Sequence, residues 1–318
     1  MTLTPRLNAL IRSEQPYLTD GGFETSMLFH EGFDLPHFAA FTIMGKAAGL
    51  AAMDRYFTRF VEIAAKHKRG YVLDTNTWRA GAAWAPALGL STTEMKSVNA
   101  DAVSWARSFR LRWESRTLPI VINGIVGPAG DGYIATDALS AGAAQDTHAP
   151  QIHALAGAGV DMISALTITN APEAVGIVRA AAAAHIPVVI SFTLETDGRL
   201  PSGQTLADAI MEVDEATRKG PLYYMINCAH PDHFSDVVSE DAAWLARIGG
   251  VRANASRLSH AELDACETLD DGNPEEFGHQ HAELARLLPS LKVVGGCCGT
   301  DHRHVGCVAD HLNAPKAA

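Results

Sequence analysis

Three cysteines stand where their chemistry can be shared: Cys228 follows one short apolar run, and the adjacent pair Cys297-Cys298 follows another much later in the chain. A thiolate is the reactive form of cysteine and a good ligand for zinc. If both runs end at one face of the fold, the three thiols can converge on one metal ion. Three protein ligands leave tetrahedral zinc an open position, as in catalytic rather than structural sites. Two other readings remain open at this point. A buried free cysteine is a common core residue, and an adjacent pair can form a redox or vicinal-disulfide element. Neighbouring side chains on a strand point to opposite faces, so Cys297 and Cys298 reach one ion only where the chain leaves extended geometry. Gly295-Gly296 before them and Gly299 after them supply that freedom.

The other thiols and imidazoles lack this setting. Cys266 lies in an acidic loop and Cys307 in the last helix, so packing or a surface thiol is expected. His302 and His304 follow the cysteine pair closely, but Asp301 or Thr300 reads as the N-cap of the last helix. His279 and His281 sit at i, i+2 on a helical pattern, diverge, and read as surface residues. The acidic stretch Asp264 to Glu276 reads as a solvated turn, and Asn254-Ala255-Ser256 carries no glycosylation meaning in a cytoplasmic protein.

Positioning these residues falls to short apolar runs that alternate with helical patterns. The runs are Tyr17 to Thr19, Tyr71 to Leu73, Pro119 to Ile122, Asp161 to Ala165, Pro187 to Phe192, Leu222 to Ile226, Gly250 to Ala253 and Leu291 to Val294. Helical patterns include Leu50 to Lys68, Ser91 to Glu114, Ala171 to Ala184, Leu206 to Lys219 and Glu275 to Leu288. This order predicts an α/β chain forming a single (β/α)8 TIM barrel over residues 1–318, with its site at the C-terminal ends of the strands. An open doubly wound sheet is the competing arrangement. Gly157-Ala158-Gly159 precedes a strand, whereas the dinucleotide fingerprint follows one, so it is not a nucleotide loop.

With 47% hydrophobic and 19% charged residues, the chain of 318 residues can bury a large core. A net charge of −11 with no dense Lys/Arg run argues against a nucleic-acid or anionic-membrane surface. No signal-peptide pattern or membrane-spanning apolar run is seen, which places the protein in the cytoplasm. Five cysteines, two of them adjacent, do not resemble an extracellular disulfide framework. Homo-oligomerisation is compatible with such a barrel, though no segment reads as an interface.

The motifs resemble the zinc-dependent homocysteine S-methyltransferase family over nearly the whole chain. They are Asp20-Gly21-Gly22-Phe23, Thr75-Asn76-Thr77-Trp78-Arg79-Ala80, Gly124-Ile125-Val126-Gly127-Pro128, Ser191-Phe192-Thr193-Leu194, Asn227-Cys228-Ala229-His230-Pro231 and Gly295-Gly296-Cys297-Cys298-Gly299. The resemblance implies that Cys228, Cys297 and Cys298 bind zinc and activate the acceptor thiol. It matches Asp20 to the aspartate that receives the acceptor's amino group. It also makes Thr75, Asn76 and Asn227 candidates for substrate binding, with Glu24, Trp78 and Glu195 behind them. One departure matters: Leu166 stands where relatives carry a glutamate for the amino acid's polar head, and leucine cannot accept a hydrogen bond. Either Glu24 or Glu195 substitutes, or the acceptor is not homocysteine.

The implied reaction moves a methyl group from a small sulfonium or quaternary ammonium donor to a thiol, with homocysteine the leading acceptor. Phe23, Trp78 and Trp84 are aromatic candidates near the mouth for such a cation, although ordinary packing explains each. An S-methylmethionine-like donor is preferred, because no cobalamin or folate module fits in the chain. Betaine is weaker, since Arg79 occupies the place of a tyrosine in the betaine enzymes. The rival readings are the same chemistry on another thiol or selenol, and a zinc-binding or redox-responsive protein without transferase activity.

Overall fold

In a computed structural model, which describes residues 3–135, 138–239 and 242–313, eight parallel strands close into a barrel in sequence order. They are β1 (Tyr17–Leu18), β2 (Tyr71–Asp74), β3 (Ile120–Val126), β4 (Met162–Ile168), β5 (Val188–Thr193), β6 (Tyr224–Asn227), β7 (Ile248–Ala253) and β8 (Val293–Gly296). Closure is made where β1 pairs on one side with β2, Leu18 opposite Tyr71, and on the other with β8, Tyr17 opposite Val293. The open doubly wound alternative is thereby excluded.

Strand periodicity divides the buried residues into two sets. Val72, Val121, Met162, Val189, Met225 and Val293 pack together inside the lower barrel. Their neighbours along the strands, such as Leu73, Ile122, Ile163, Ile190 and Val294, pack outward against the helices. The helix Pro5–Arg12 closes the bottom by inserting Leu7 and Leu10 into the inner set. Further up, the inward positions turn polar: Asp74, Asn123, Ser191, Asn227 and Arg252 are all buried. A barrel interior is a packed core rather than a pore, so these groups must satisfy one another.

Two strands run three or four residues past their expected ends. The apolar run ends at Ile122 in the sequence, yet β3 continues to Val126 with Asn123 opposite Met162 and Gly124 opposite Ile163. The amide of Asn123 is tolerated there because it donates to Asp74 Oδ1 at 2.8 Å. Similarly, β4 continues to Ile168, with a register irregularity between Ala165 and Ile168.

The helices follow the expected patterns, among them Ala47–Lys66, Thr92–Trp113, Ala171–Ala183, Leu206–Thr217 and Pro274–Leu287. Ser91 and Glu94 form a reciprocal capping box that starts the second of these. A helix that the sequence reading does not single out, Ala141–Ala158, joins β3 to β4 with Pro150 inside it. Among the described residues, no helix is long and apolar enough to cross a membrane.

Candidate active site at the barrel mouth

The sulfurs of Cys228, Cys297 and Cys298 all lie within 4.8 Å of one another. Cys228 follows the end of β6, and the pair follows the end of β8. Local backbone geometry brings them together. Cys228 has φ +54°, a left-handed conformation uncommon for a residue with a side chain, and its N–H donates to Arg252 O at 3.2 Å. Thr300 N–H closes a turn onto Cys297 O at 3.1 Å, with Gly299 at φ +79° in its third position. Glycine is the residue suited to that place. Gly295 and Gly296 play a different part from the expected one: both stay extended. A Cβ on Gly296 would lie 1.9 Å from Thr300 Oγ1, so close approach of the turn, not left-handed freedom, requires the glycine.

Asn227 fastens the thiol-bearing segments together. Its Oδ1 accepts from Thr167 N–H at 3.0 Å and Ser191 Oγ at 2.6 Å, and its Nδ2 donates to Thr167 Oγ1 at 3.0 Å. The same Nδ2 faces Cys297 Sγ at 3.9 Å. Thr167, itself left-handed at φ +63°, places its hydroxyl 3.9 Å from Cys228 Sγ. Such backbone strain, about 1–3 kcal/mol per residue, persists only where surrounding contacts fix it. From above, Tyr133 brings its hydroxyl to 3.7 Å from Cys228 Sγ and 3.9 Å from Cys298 Sγ. Its ring stacks on His260 with centroids 4.1 Å apart.

The donor set fits a thiophilic metal ion. Burial, then the charge of Glu24, raises the Cys298 thiol to about 11, so thiolate here calls for a nearby cation. Cys228 and Cys297 stand in disulfide contact, with Cα atoms 5.5 Å apart. The pair can hold a bond or share an ion, not both, because metal ligation needs deprotonated thiols.

Beside the thiols lies a buried charge cluster. Arg252 Nη2 donates to Asp20 Oδ1 at 2.5 Å, its Nη1 pairs with Asp74, and its Nε donates to Gly296 O at 3.1 Å. Burial raises Asp20 to about 6 despite the opposing pull of Arg252. The Asp20 of the family motif therefore has one oxygen committed to Arg252 and Thr19. Its Oδ2 accepts no hydrogen bond among the described residues. Glu24, on the turn Phe23–Thr25, is half-buried and has no ion-pair partner within the described residues. Burial and then Asp20 lift its carboxyl to about 7, against the pull of Arg252 and Arg79.

The aromatic candidates are already engaged. The Arg79 guanidinium lies 3.8 Å from the ring centroids of both Trp78 and Trp84. Trp78 Nε1 donates to Leu166 O at 3.3 Å, and Trp84 Nε1 to Pro128 O at 3.0 Å. Phe23 packs on Tyr56 and Phe57 in the core. The faces of Trp78 and Trp84 thus hold the protein's own arginine, and that of Phe23 is taken up in the core.

The remaining candidates divide. Thr75 Oγ1 accepts from Ile125 N–H at 3.0 Å and meets Thr77 Oγ1 at 2.7 Å, tying β2 to β3. Asn76 leaves a buried Oδ1 without a partner among the described residues. Glu195 makes no described contact with the thiol cluster; burial, then Asp197, raises its carboxyl. His304 is fully buried and held by Asp301 and by Asp271 O, while Asp301 caps Arg303 N–H at 2.8 Å. His281 corrects the surface reading: it is 1% exposed, packed on Phe277, while His279 faces solvent. The two do diverge, but a two-residue step on this helix turns one of them into the core. Cys266 is exposed and Cys307 half-buried.

Sequence reasoning missed Arg252, Asp74, Thr167 and Tyr133. Arg252 had a signal, a charge within an otherwise apolar strand ending at the site. Tyr133 had none, because nothing local marks where a loop folds over.

The homocysteine S-methyltransferase family model matches residues 17–312. Among solved structures, the chain resembles the homocysteine methyltransferase MmuM from Escherichia coli in its oxidized form, with 21% identity and a TM-score of 0.74. The metallated form of that protein gives 20% identity and a TM-score of 0.71. Each comparison covers 96% of this chain and 99% of the other, and at such identity the likeness speaks for the fold. With the family model spanning all eight strands and all three clustered cysteines, the chain belongs to the homocysteine S-methyltransferase family.

Proposed function

We propose that this S-methyltransferase carries a methyl group from a small sulfonium donor, S-methylmethionine-like, to homocysteine, with zinc held by Cys228, Cys297 and Cys298. The observation that carries the reading is the convergence of three sulfurs within 4.8 Å at the mouth of the barrel. A zinc ion held there would supply the positive charge that keeps an acceptor thiol deprotonated near neutral pH.

The chain's own residues do the remaining work. Asn227, Thr167 and Ser191 fix the thiol-bearing segments against one another. Tyr133, backed by the ring of His260, covers the sulfurs and limits access of water. The free oxygen of Asp20 and the carboxylate of Glu24 receive the acceptor's ammonium, Glu24 compensating for Leu166. The acceptor sulfur then attacks the donor methyl in line. A new carbon–sulfur bond forms as the old one breaks, and the donor sulfur leaves as a neutral thioether with the electron pair. Alignment alone can contribute several kcal/mol. Arg79 between Trp78 and Trp84 weighs against a quaternary-ammonium donor at those faces. We place the enzyme in the reducing cytoplasm as a single barrel domain.

Leu166 supports a second reading, the same transfer to a different thiol or selenol. Anaerobically purified protein should contain zinc and methylate homocysteine from S-methylmethionine in a panel with S-adenosylmethionine, betaine and dimethylsulfoniopropionate. Cys298→Ser should lose metal and at least 100-fold of activity together, on the order of 3 kcal/mol. Absence of turnover with homocysteine and every donor would remove the first reading.

A further inference from the structure

Arg79 is only 6% exposed, yet much of its hydrogen-bonding capacity is unused. Nη1 donates to Gly130 O at 2.9 Å, while Nε is buried with no partner among the described residues. Among the described residues, Nη2 has no acceptor either, and no carboxylate of those residues lies within ion-pair distance of the guanidinium. Nε and Nη2 form one edge of the group, two parallel N–H bonds in the fork that matches a carboxylate. A buried donor left unsatisfied is costly, and stacking between Trp78 and Trp84 holds this edge in one orientation.

The edge also lies in the right neighbourhood. Arg79 feels the charge of Asp131 first, beyond ion-pair distance, and then Tyr133 and Glu24, the last two of which also act on Cys298. The acceptor's amino-acid head must sit near its sulfur, and its ammonium has Asp20 and Glu24 to meet. Its carboxylate still lacks a cationic partner. The cation Arg252 is already occupied by Asp20 and Asp74.

We propose that the free Nε–Nη2 edge of Arg79 binds the α-carboxylate of the amino-acid acceptor and makes that carboxylate a requirement for tight binding. This rests on the reading of the acceptor as an amino-acid thiol. The aromatic pair then serves as a clamp that aims the arginine, not as a receptor for a donor cation.

The test is calorimetric binding of L-homocysteine and of 3-aminopropane-1-thiol, which lacks only the carboxylate, to the anaerobically purified metal-bearing enzyme. Wild type should favour homocysteine about 10- to 100-fold, the range for a charged hydrogen-bonded pair. Arg79→Gln should reduce that preference to within about threefold by weakening homocysteine binding alone. Arg79→Lys keeps the charge and the aromatic packing but not the fork, and should fall between them. Equal affinity of wild type for the two thiols, no binding of either, or a preference that survives in R79Q overturns the proposal. So does an equal loss for both ligands in R79K. Methyl transfer measured alongside separates the two ideas: carboxylate-dependent binding without turnover rejects the proposed reaction and leaves Arg79 its role.

Discussion

Arg252 and Asp20 meet inside the top of the barrel at 2.5 Å, joining the end of β7 to the segment after β1. Asp74 from β2 completes the group. All three are buried, so each carboxylate depends on the one guanidinium for compensation.

Arg252→Met should therefore destabilise the fold by about 3–5 kcal/mol, because two carboxylates are left buried without a cation. Removing Asp20, Asp74 and Arg252 together, with Asn, Asn and Met in their places, should recover much of the loss. Urea denaturation of both variants measures this. A loss below about 1 kcal/mol for R252M would mean that the pair is not a structural tie.

Glu24 gives the acceptor site a pH dependence. Its carboxyl is held near pH 7, chiefly by burial. The ammonium-binding anion is present above that value and lost below it. KM for homocysteine should rise as pH falls through 7, with kcat little changed. In Glu24→Gln, KM should be higher throughout and lack this inflection. Parallel KM profiles in the two proteins would remove Glu24 from the ammonium site.

His281 links stability to pH with the opposite habit from a paired histidine. Burial lowers it to about 4 from the ordinary 6.5. Between these values the unfolded chain binds a proton that the folded chain refuses, so this contribution is full above pH 6.5 and is lost as pH falls towards 4. Asp20 and Glu24, with raised values, titrate the other way, but identically in wild type and variant. His281→Asn should flatten the slope of unfolding free energy in this window by about 1.4 kcal/mol per pH unit relative to wild type. Identical slopes would show that His281 accepts its proton in the folded protein.

The strand order and the three metal-competent cysteines were legible because both rest on local pattern. Apolar runs such as Tyr71 to Leu73 need no partner to be read as strands. Cysteines at two strand ends have few uses in common beyond a shared ion or a bond. Gly299 was readable for the same reason, as the residue that lets a turn follow the pair.

Which polar groups face one another was decided only by the closed barrel. Inward positions on eight strands are brought together by register, a property of pairs of strands and not of any one segment. That register sets Arg252 against Asp20 and Asp74, and Asn227 against Ser191 and Thr167. Loop folding then lays Tyr133 over the sulfurs and closes Trp78 and Trp84 on Arg79. The sequence supplied the chemical groups; three-dimensional packing chose their partners, because a side chain's contacts depend on what the rest of the chain places within a few ångströms of it.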